Sequence, residues 1–284
     1  MQAKVNQSLG RVSTKCAVFL GVALIAVQAG AQVVLQDQNS TALIDPTSQL
    51  GMFHWDINGA NQLRQQWFWY GVGNNPVASI DTIGAPIINI ITPNEARIGY
   101  ANVGFSVSVD YLLTGGSPVG PTLNADIQES IRIQNTSANP LAFHFYQYSY
   151  FNLNGASQDT VQLGQNLHGL FNEASQGNPG NNLTETVVTP GANEGEVAPL
   201  GATLAKLNGG GPVTLGPPFF GGPLGPGAVT WALQWDFNIA PGATAIISKD
   251  KYLSLTNPVP EPSALALVGV GLVGLAARKR RSKV

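Results

Sequence analysis

The residues of this 284-residue chain that could do chemistry are few and scattered. Its three histidines are His54, His144 and His168, and none stands in an H-x-x-x-H, H-E-x-x-H or H-x-H spacing. No zinc signature is therefore present. His144 lies opposite Phe143 and Phe145 on its strand and reads as a surface or hydrogen-bonded histidine. A G-x-S-x-G elbow, a Walker loop and a complete calcium loop are all missing. Asp56-Ile57-Asn58-Gly59 starts like a calcium loop but lacks the later ligands, and Asn58-Gly59 is a hairpin-turn signal. Gly269 to Gly274 matches G-x-G-x-x-G, yet only ten residues follow and five are basic, so no βαβ unit can complete a nucleotide site. The acids between Gln32 and Asn257 are dispersed. Paired catalytic carboxylates cannot be picked out, although a glycosidase needs its two carboxylates to meet only in space. The sequence assigns no catalytic residue, no metal ligand and no cofactor.

One segment stands out for binding. Gln65-Gln66-Trp67-Phe68-Trp69-Tyr70-Gly71 holds four consecutive aromatics, which puts rings on both faces of a strand. The favoured reading is core packing, because each ring removes a large area from water. The functional alternative makes Trp67 and Trp69 a sugar-stacking platform.

The elements that must position these residues are strands. Phe105, Val107, Val109, Tyr111 and Leu113 alternate with Ser106, Ser108 and Asp110. Ile127 to Gln134, Leu141 to Tyr148 and Val229 to Ile239 repeat the pattern. Polar turns at Asn135–Pro140 and Ala240–Ala243 predict two hairpins: Ile127–Gln134 with Leu141–Tyr148, and Val229–Ile239 with Thr244–Ile247 and Tyr252–Leu255. Residues 172–196 read as a loop. So do residues 208–227, which hold eight glycines and five prolines. No amphipathic helix of eleven or more residues occurs in the body. The expected fold class is all-β, an antiparallel β-sandwich of Ig-like or jelly-roll-like kind, forming one domain over residues 32–257. Its strands and turns resemble those of Ig-like bacterial envelope domains, a likeness of architecture only.

Charge is sparse at 11% of residues, and the net value of −2 hides a segregation. Lys4, Arg11 and Lys15 lie in the first 31 residues, which hold no acid. Arg278, Lys279, Arg280, Arg281 and Lys283 close the chain. The body between is acidic, so it would be repelled by phosphate backbones; nucleic acid is excluded as a partner. Residues 1–31 read as a signal peptide with an apolar helix over Ala17–Val27 and a small-x-small cleavage site, Ala29-Gly30-Ala31, giving a mature start at Gln32. Signal peptidase and the Sec machinery are the partners this implies. The one cysteine, Cys16, lies in the leader and not in a lipoprotein box. The mature body of about 226 residues is large enough to fold without disulfides.

The other end, residues 258–284, has three parts in order. Val259-Pro260-Glu261-Pro262 is extended by its prolines. Ala264–Ala277 is an uncharged apolar run that reads as a transmembrane helix, a short one at roughly 21 Å. The basic cluster Arg278, Lys279, Arg280, Arg281 would stay cytoplasmic as a stop signal.

This order of parts resembles the PEP-CTERM sorting signal of bacterial exported proteins. The resemblance implies processing by an exosortase-type membrane transpeptidase, with Pro260, Glu261 and Pro262 as residues recognised by that enzyme. It also implies a protein anchored transiently in the cytoplasmic membrane, then delivered to the cell surface or an extracellular polysaccharide matrix. The expectation for the body is a structural or adhesive, non-enzymatic role. The alternative is a secreted carbohydrate-binding module or carbohydrate-active enzyme carrying the same tail.

Overall fold

Alternation of apolar and polar residues becomes strands through most of the body. The structure, a computed structural model, describes residues 32–216 and 221–257. In chain order the strands are β1 (Val33–Asp37), β2 (Ser40–Asp45), β3 (Gly51–Ile57), β4 (Ala60–Asn61), β5 (Leu63–Val72), β6 (Ala78–Ser79), β7 (Ile87–Thr92), β8 (Glu95–Ala101) and β9 (Phe105–Gly115). They continue as β10 (Thr122–Asn135), β11 (Leu141–Phe151), β12 (Asp159–Gln165), β13 (Phe171–Asn178), β14 (Asn181–Thr189), β15 (Glu194–Pro199), β16 (Leu224–Gly227), β17 (Val229–Ile239) and β18 (Thr244–Thr256). The single α-helix among the described residues, α1 (Ala202–Leu207), follows β15. No helix of the described residues is long and apolar enough to cross a membrane.

The strands form two nine-stranded sheets. Sheet A runs β1-β2-β3-β5-β11-β17-β15, with β4 on β3 and β6 on β5. Sheet B runs β16-β12-β13-β14-β18-β10-β9-β8-β7. The all-β sandwich is as expected, but each sheet is wider than the Ig-like pattern, whose two sheets share about seven strands. The core fills the space between them. Phe68 stacks on Phe145 at 5.3 Å within sheet A, and Phe105 of sheet B meets the Phe143 ring edge-on at 5.1 Å.

Charges lie inside this core as well. Glu129, Glu185, Lys249 and Lys251 are all buried. Lys249 is paired with Glu129; Lys251 lies 2.6 Å from Glu129 and 3.5 Å from Glu185. Two acids and two lysines balance, which a dry interior requires. Burial alone would raise Glu129, but the two lysines outweigh it and hold its carboxyl well below the usual range.

Three local expectations are corrected. The two predicted hairpins are arches that cross between sheets: β10 and β18 pair in sheet B, while β11 and β17 pair in sheet A. The two turns lie side by side and hold each other. Asn135 N donates to Ala243 O, Gly242 N to Asn135 O, and the Asn135 amide to Ile239 O at 2.9 Å. Residues 172–196 are largely strand; the alternation is masked in the sequence because buried Gln176 and Glu185 stand where apolar residues are expected. Within residues 208–227, Leu224–Gly227 forms β16. The Asn58-Gly59 turn is a two-residue hairpin between β3 and β4, with both residues at positive φ.

Candidate functional site

Sheet B turns its outer face to solvent, and on it five strands line an open cleft of about 380 Å3. Cross-strand register sets out the side chains in rows. Glu95, Leu112, Gln128 and Asp250 form one row. Arg97, Asp110, Ser130 and Ser248 form the next. On the other side of the first row, Asp126 faces Tyr252.

The acids in these rows have different roles. Asp110 is gripped by Arg97 and Arg132, with Arg97 Nη2 at 3.1 Å from Oδ2. Burial alone would raise its pKa, but the hydrogen bonds from the two guanidinium groups lower it, so Asp110 is a fixed anion. Asp126 is the opposite case. Burial, a hydrogen bond to Asp250 and the charge of Asp250 raise it to about 7, with Lys251 opposing. Asp126 and Asp250 are diagonal neighbours on adjacent strands, so their carboxyls meet. Oδ1 of each is shielded from water and has no other hydrogen-bond partner among the described residues. The charge of Asp250 beside it makes ionising Asp126 costly, so the Asp126 carboxyl keeps its proton toward neutral pH. Such a pair holds an acid and a base together. Tyr252 beside it is 45% exposed, the one aromatic ring of the described residues in the exposed class.

The residues singled out in the sequence lie elsewhere. Trp67 and Trp69 are 1% and 0% exposed and point to the outer side of sheet A. Their indole nitrogens donate to Ser79 Oγ at 2.9 Å and Asn208 Oδ1 at 3.1 Å, beneath covering chain. Neither ring has a free face for a sugar. His144 Nδ1 sits 2.6 Å from Asp236 Oδ1 across β11 and β17, and His54 Nε2 3.0 Å from Asp56 Oδ2 within β3. No cluster of three or more His, Cys, Asp or Glu able to hold a metal occurs among the described residues. Ala29, Ala31 and the tail residues Val259, Pro260, Glu261, Pro262, Arg278, Lys279, Arg280 and Arg281 lie outside the described residues, as do the expected leader helix and Ala264–Ala277.

Sequence reasoning missed the Asp126–Asp250 pair. It ended one strand at Ile247 and resumed at Tyr252, losing Ser248-Lys249-Asp250-Lys251. The signal was there: Ser248, Asp250 and Tyr252 keep the outward parity of a single long strand.

The sandwich is a known architecture. It superposes on a protein from Escherichia coli K12 assigned as an aldose 1-epimerase, with TM-score 0.54, 11% identity, and coverage of 80% of this chain and 99% of that one. A galactose mutarotase related enzyme from Lactobacillus acidophilus gives TM-score 0.51 at 8% identity, covering 80% and 98%. A bacterial glucoamylase complexed with acarbose gives 0.55 at 7% identity, covering 82% of this chain and 32% of that one. These likenesses establish the fold. They overturn the expectation of a non-enzymatic body, which rested on the lack of a contiguous motif. This sandwich is one that solved enzyme structures share, and it brings side chains together from separate strands.

At the other end of the chain, residues 258–281 match the PEP-CTERM protein-sorting motif. The chain thus carries a PEP-CTERM sorting motif, and the motif implies export and processing by an exosortase, a membrane protein. No curated protein matches the chain by sequence.

Proposed function

We propose that the body is a carbohydrate-directed module, exported and handed to an exosortase by its tail. The observation that carries this reading is the raised Asp126 carboxyl beside Asp250, which lines the open cleft, with exposed Tyr252 facing Asp126 across the strands. Sugar recognition needs hydrogen-bonding groups for the hydroxyls and a ring for the apolar face. Gln128, Ser130 and Ser248 supply the first and Tyr252 the second. Hydrolysis by two carboxylates needs them about 5–9.5 Å apart to flank the bond. Carboxyls in direct hydrogen-bond contact do not suit that. They suit proton transfer at one centre. The ionised carboxylate takes the proton of an anomeric hydroxyl while its protonated partner gives one to the ring oxygen. The C1–ring oxygen bond opens, C1 turns, and the ring recloses with the roles reversed. The proton balance is zero. The sugar-directed names of the structural neighbours support the substrate class.

The test is the rate of anomeric interconversion of aldoses, followed by NMR, together with retention of the protein on exopolysaccharide. Asp126→Asn should slow interconversion by about 100-fold, and Tyr252→Ala should weaken retention. A protein that neither retains glycan nor accelerates interconversion defeats the proposal. For the tail, Glu261→Gln keeps the shape and removes the charge. It should leave a full-length, membrane-retained form in the native host. Mass spectrometry that finds Val284 intact on surface-displayed wild type would overturn the processing step.

A further inference from the structure

Among the described residues the main strand paths of the two sheets end at four strands, and three of them are blunted. β16 is four residues long and contains Pro226. β15 ends at Pro199 and has α1 beside it. β1 carries Gln36 and Asp37, and Gln36 N donates to Pro93 O at 2.9 Å. The fourth, β7, has none of these devices. Its sequence Ile87-Ile88-Asn89-Ile90-Ile91-Thr92 holds no charge and no proline. Ile87, Ile90 and Ile91 are 67%, 52% and 45% exposed. Ile88 packs against the core, and Ile90 shares its parity yet is half exposed, so sheet B runs past its partner sheet here. Among the described residues the backbone of β7 hydrogen-bonds to β8 alone. A flat, apolar, uncharged edge with free N–H and C=O groups is a template for another strand.

We propose that β7 is a self-association edge, at which two copies of this chain pair antiparallel, β7 to β7, into one continuous sheet. The sequence of the strand selects the occupant and the register. Around a two-fold axis normal to the sheet, outward residues must oppose outward residues, so facing positions share parity. Centring the axis on Asn89 sets Ile88 against Ile90 of the second copy and Ile87 against Ile91, with Asn89 facing its own equivalent. Every isoleucine then meets an isoleucine. Centring on Ile88 or Ile90 sets isoleucine against asparagine or threonine instead. With no charge on the strand, two copies meet without repulsion. The pairing irregularity with β8 falls between Ile90 and Thr92, at the end of the new interface.

Cysteine cross-linking tests both pairing and register, because residues 32–257 hold no cysteine. In the full chain with Cys16→Ser, Asn89→Cys should oxidise to a disulfide-linked dimer, since directly opposed residues lie within disulfide reach. Ile90→Cys should not, because it is offset from its own equivalent. Light scattering of the otherwise unmodified chain should give a dimer, and Ile90→Lys a monomer with an unchanged circular dichroism spectrum. A monomeric wild type, equal cross-linking at residues 89 and 90, or a dimer that survives Ile90→Lys would overturn the proposal. The last outcome would place the contact elsewhere, and a monomer that binds a foreign strand would assign the edge to another partner.

Discussion

The outer faces of the two sheets have the same backbone and opposite fates. On sheet A the outward row includes Trp67, Trp69, Tyr146 and Tyr148, and all four are buried. The chain after β15 lies across Trp69 and Tyr146, while Ser79 and Asp81 cap the Trp67 indole. Trp69 donates to Asn208, Tyr146 OH donates to Val213 O at 2.7 Å, and Leu215 N donates to Gln234 Oε1 at 2.8 Å. Buried Glu196 anchors this cover by accepting from Thr203 Oγ1 at 2.6 Å and Gly216 N at 3.1 Å, and by pairing with Lys206. On sheet B the outward rows stay open, and there the carboxyl pair and Tyr252 sit. A strand covered on both sides carries apolar residues at both parities; a strand with one wet face alternates. β5 is the first kind and β9 the second. An aromatic-rich face thus became core, while the polar face kept the surface on which a ligand can bind.

The contrast can be broken most directly at its aromatics. Replacing Trp67 or Trp69 by Ala should cost about 3–5 kcal/mol in denaturant unfolding. Tyr252→Ala should change stability by less than about 0.5 kcal/mol. If Tyr252 proves as costly as Trp69, the open face is not open.

Loosening the cover is the next largest effect. Glu196→Ala should destabilise by about 2 kcal/mol, by leaving Thr203 and Gly216 N without their acceptor. It should also speed proteolysis within residues 200–216. Cleavage at the wild-type rate would mean that the cover does not depend on this anchor.

A smaller effect separates the faces by pH. Asp126 is raised from 3.8 to about 7, so between those values the folded chain binds a proton that the unfolded chain has lost. Stability from this group is therefore complete below pH 4, falls as pH rises through the window, and is flat above it. Solvent beside the cleft screens the effect to about 1–2 kcal/mol. Asp126→Asn should flatten this slope and stabilise the protein at pH 8, as read from melting curves across pH. An unchanged slope would mean that Asp126 does not hold its proton above the usual carboxylate range.

The smallest effect belongs to the exposed fork on sheet B. Arg97→Ala should cost no more than about 0.5 kcal/mol, less still at high salt, because its ion pair with Asp110 is half exposed.

Much of the strand content was readable. Val229–Ile239 is observed with the bounds that its alternation predicts, and the Asn58-Gly59 turn follows from its residue types. The strands missed at residues 172–196 and 248–251 had one cause. Alternation reports which parity faces inward only when inward residues are apolar. Gln176, Glu185, Lys249 and Lys251 face inward and are polar or charged, so β13, β14 and the middle of β18 were hidden. These charges are tolerated because their partners come from other strands, which a single sequence does not list side by side.

The sequence by itself determined the sorting motif at residues 258–281, the β character of the body and the places where the chain reverses. Those properties are local: they depend on residue types and short spacings. Tertiary structure alone decided which sheet each strand joins, which face is covered and which carboxyls meet. A turn fixes that the chain reverses but not whether the next strand bonds to its predecessor or crosses the core. Asn135 and Ala243 settle that only by bonding to each other. Asp126 and Asp250 likewise become a pair only because β10 and β18 are neighbours in one sheet, and burial beside a second carboxyl then keeps the proton on Asp126.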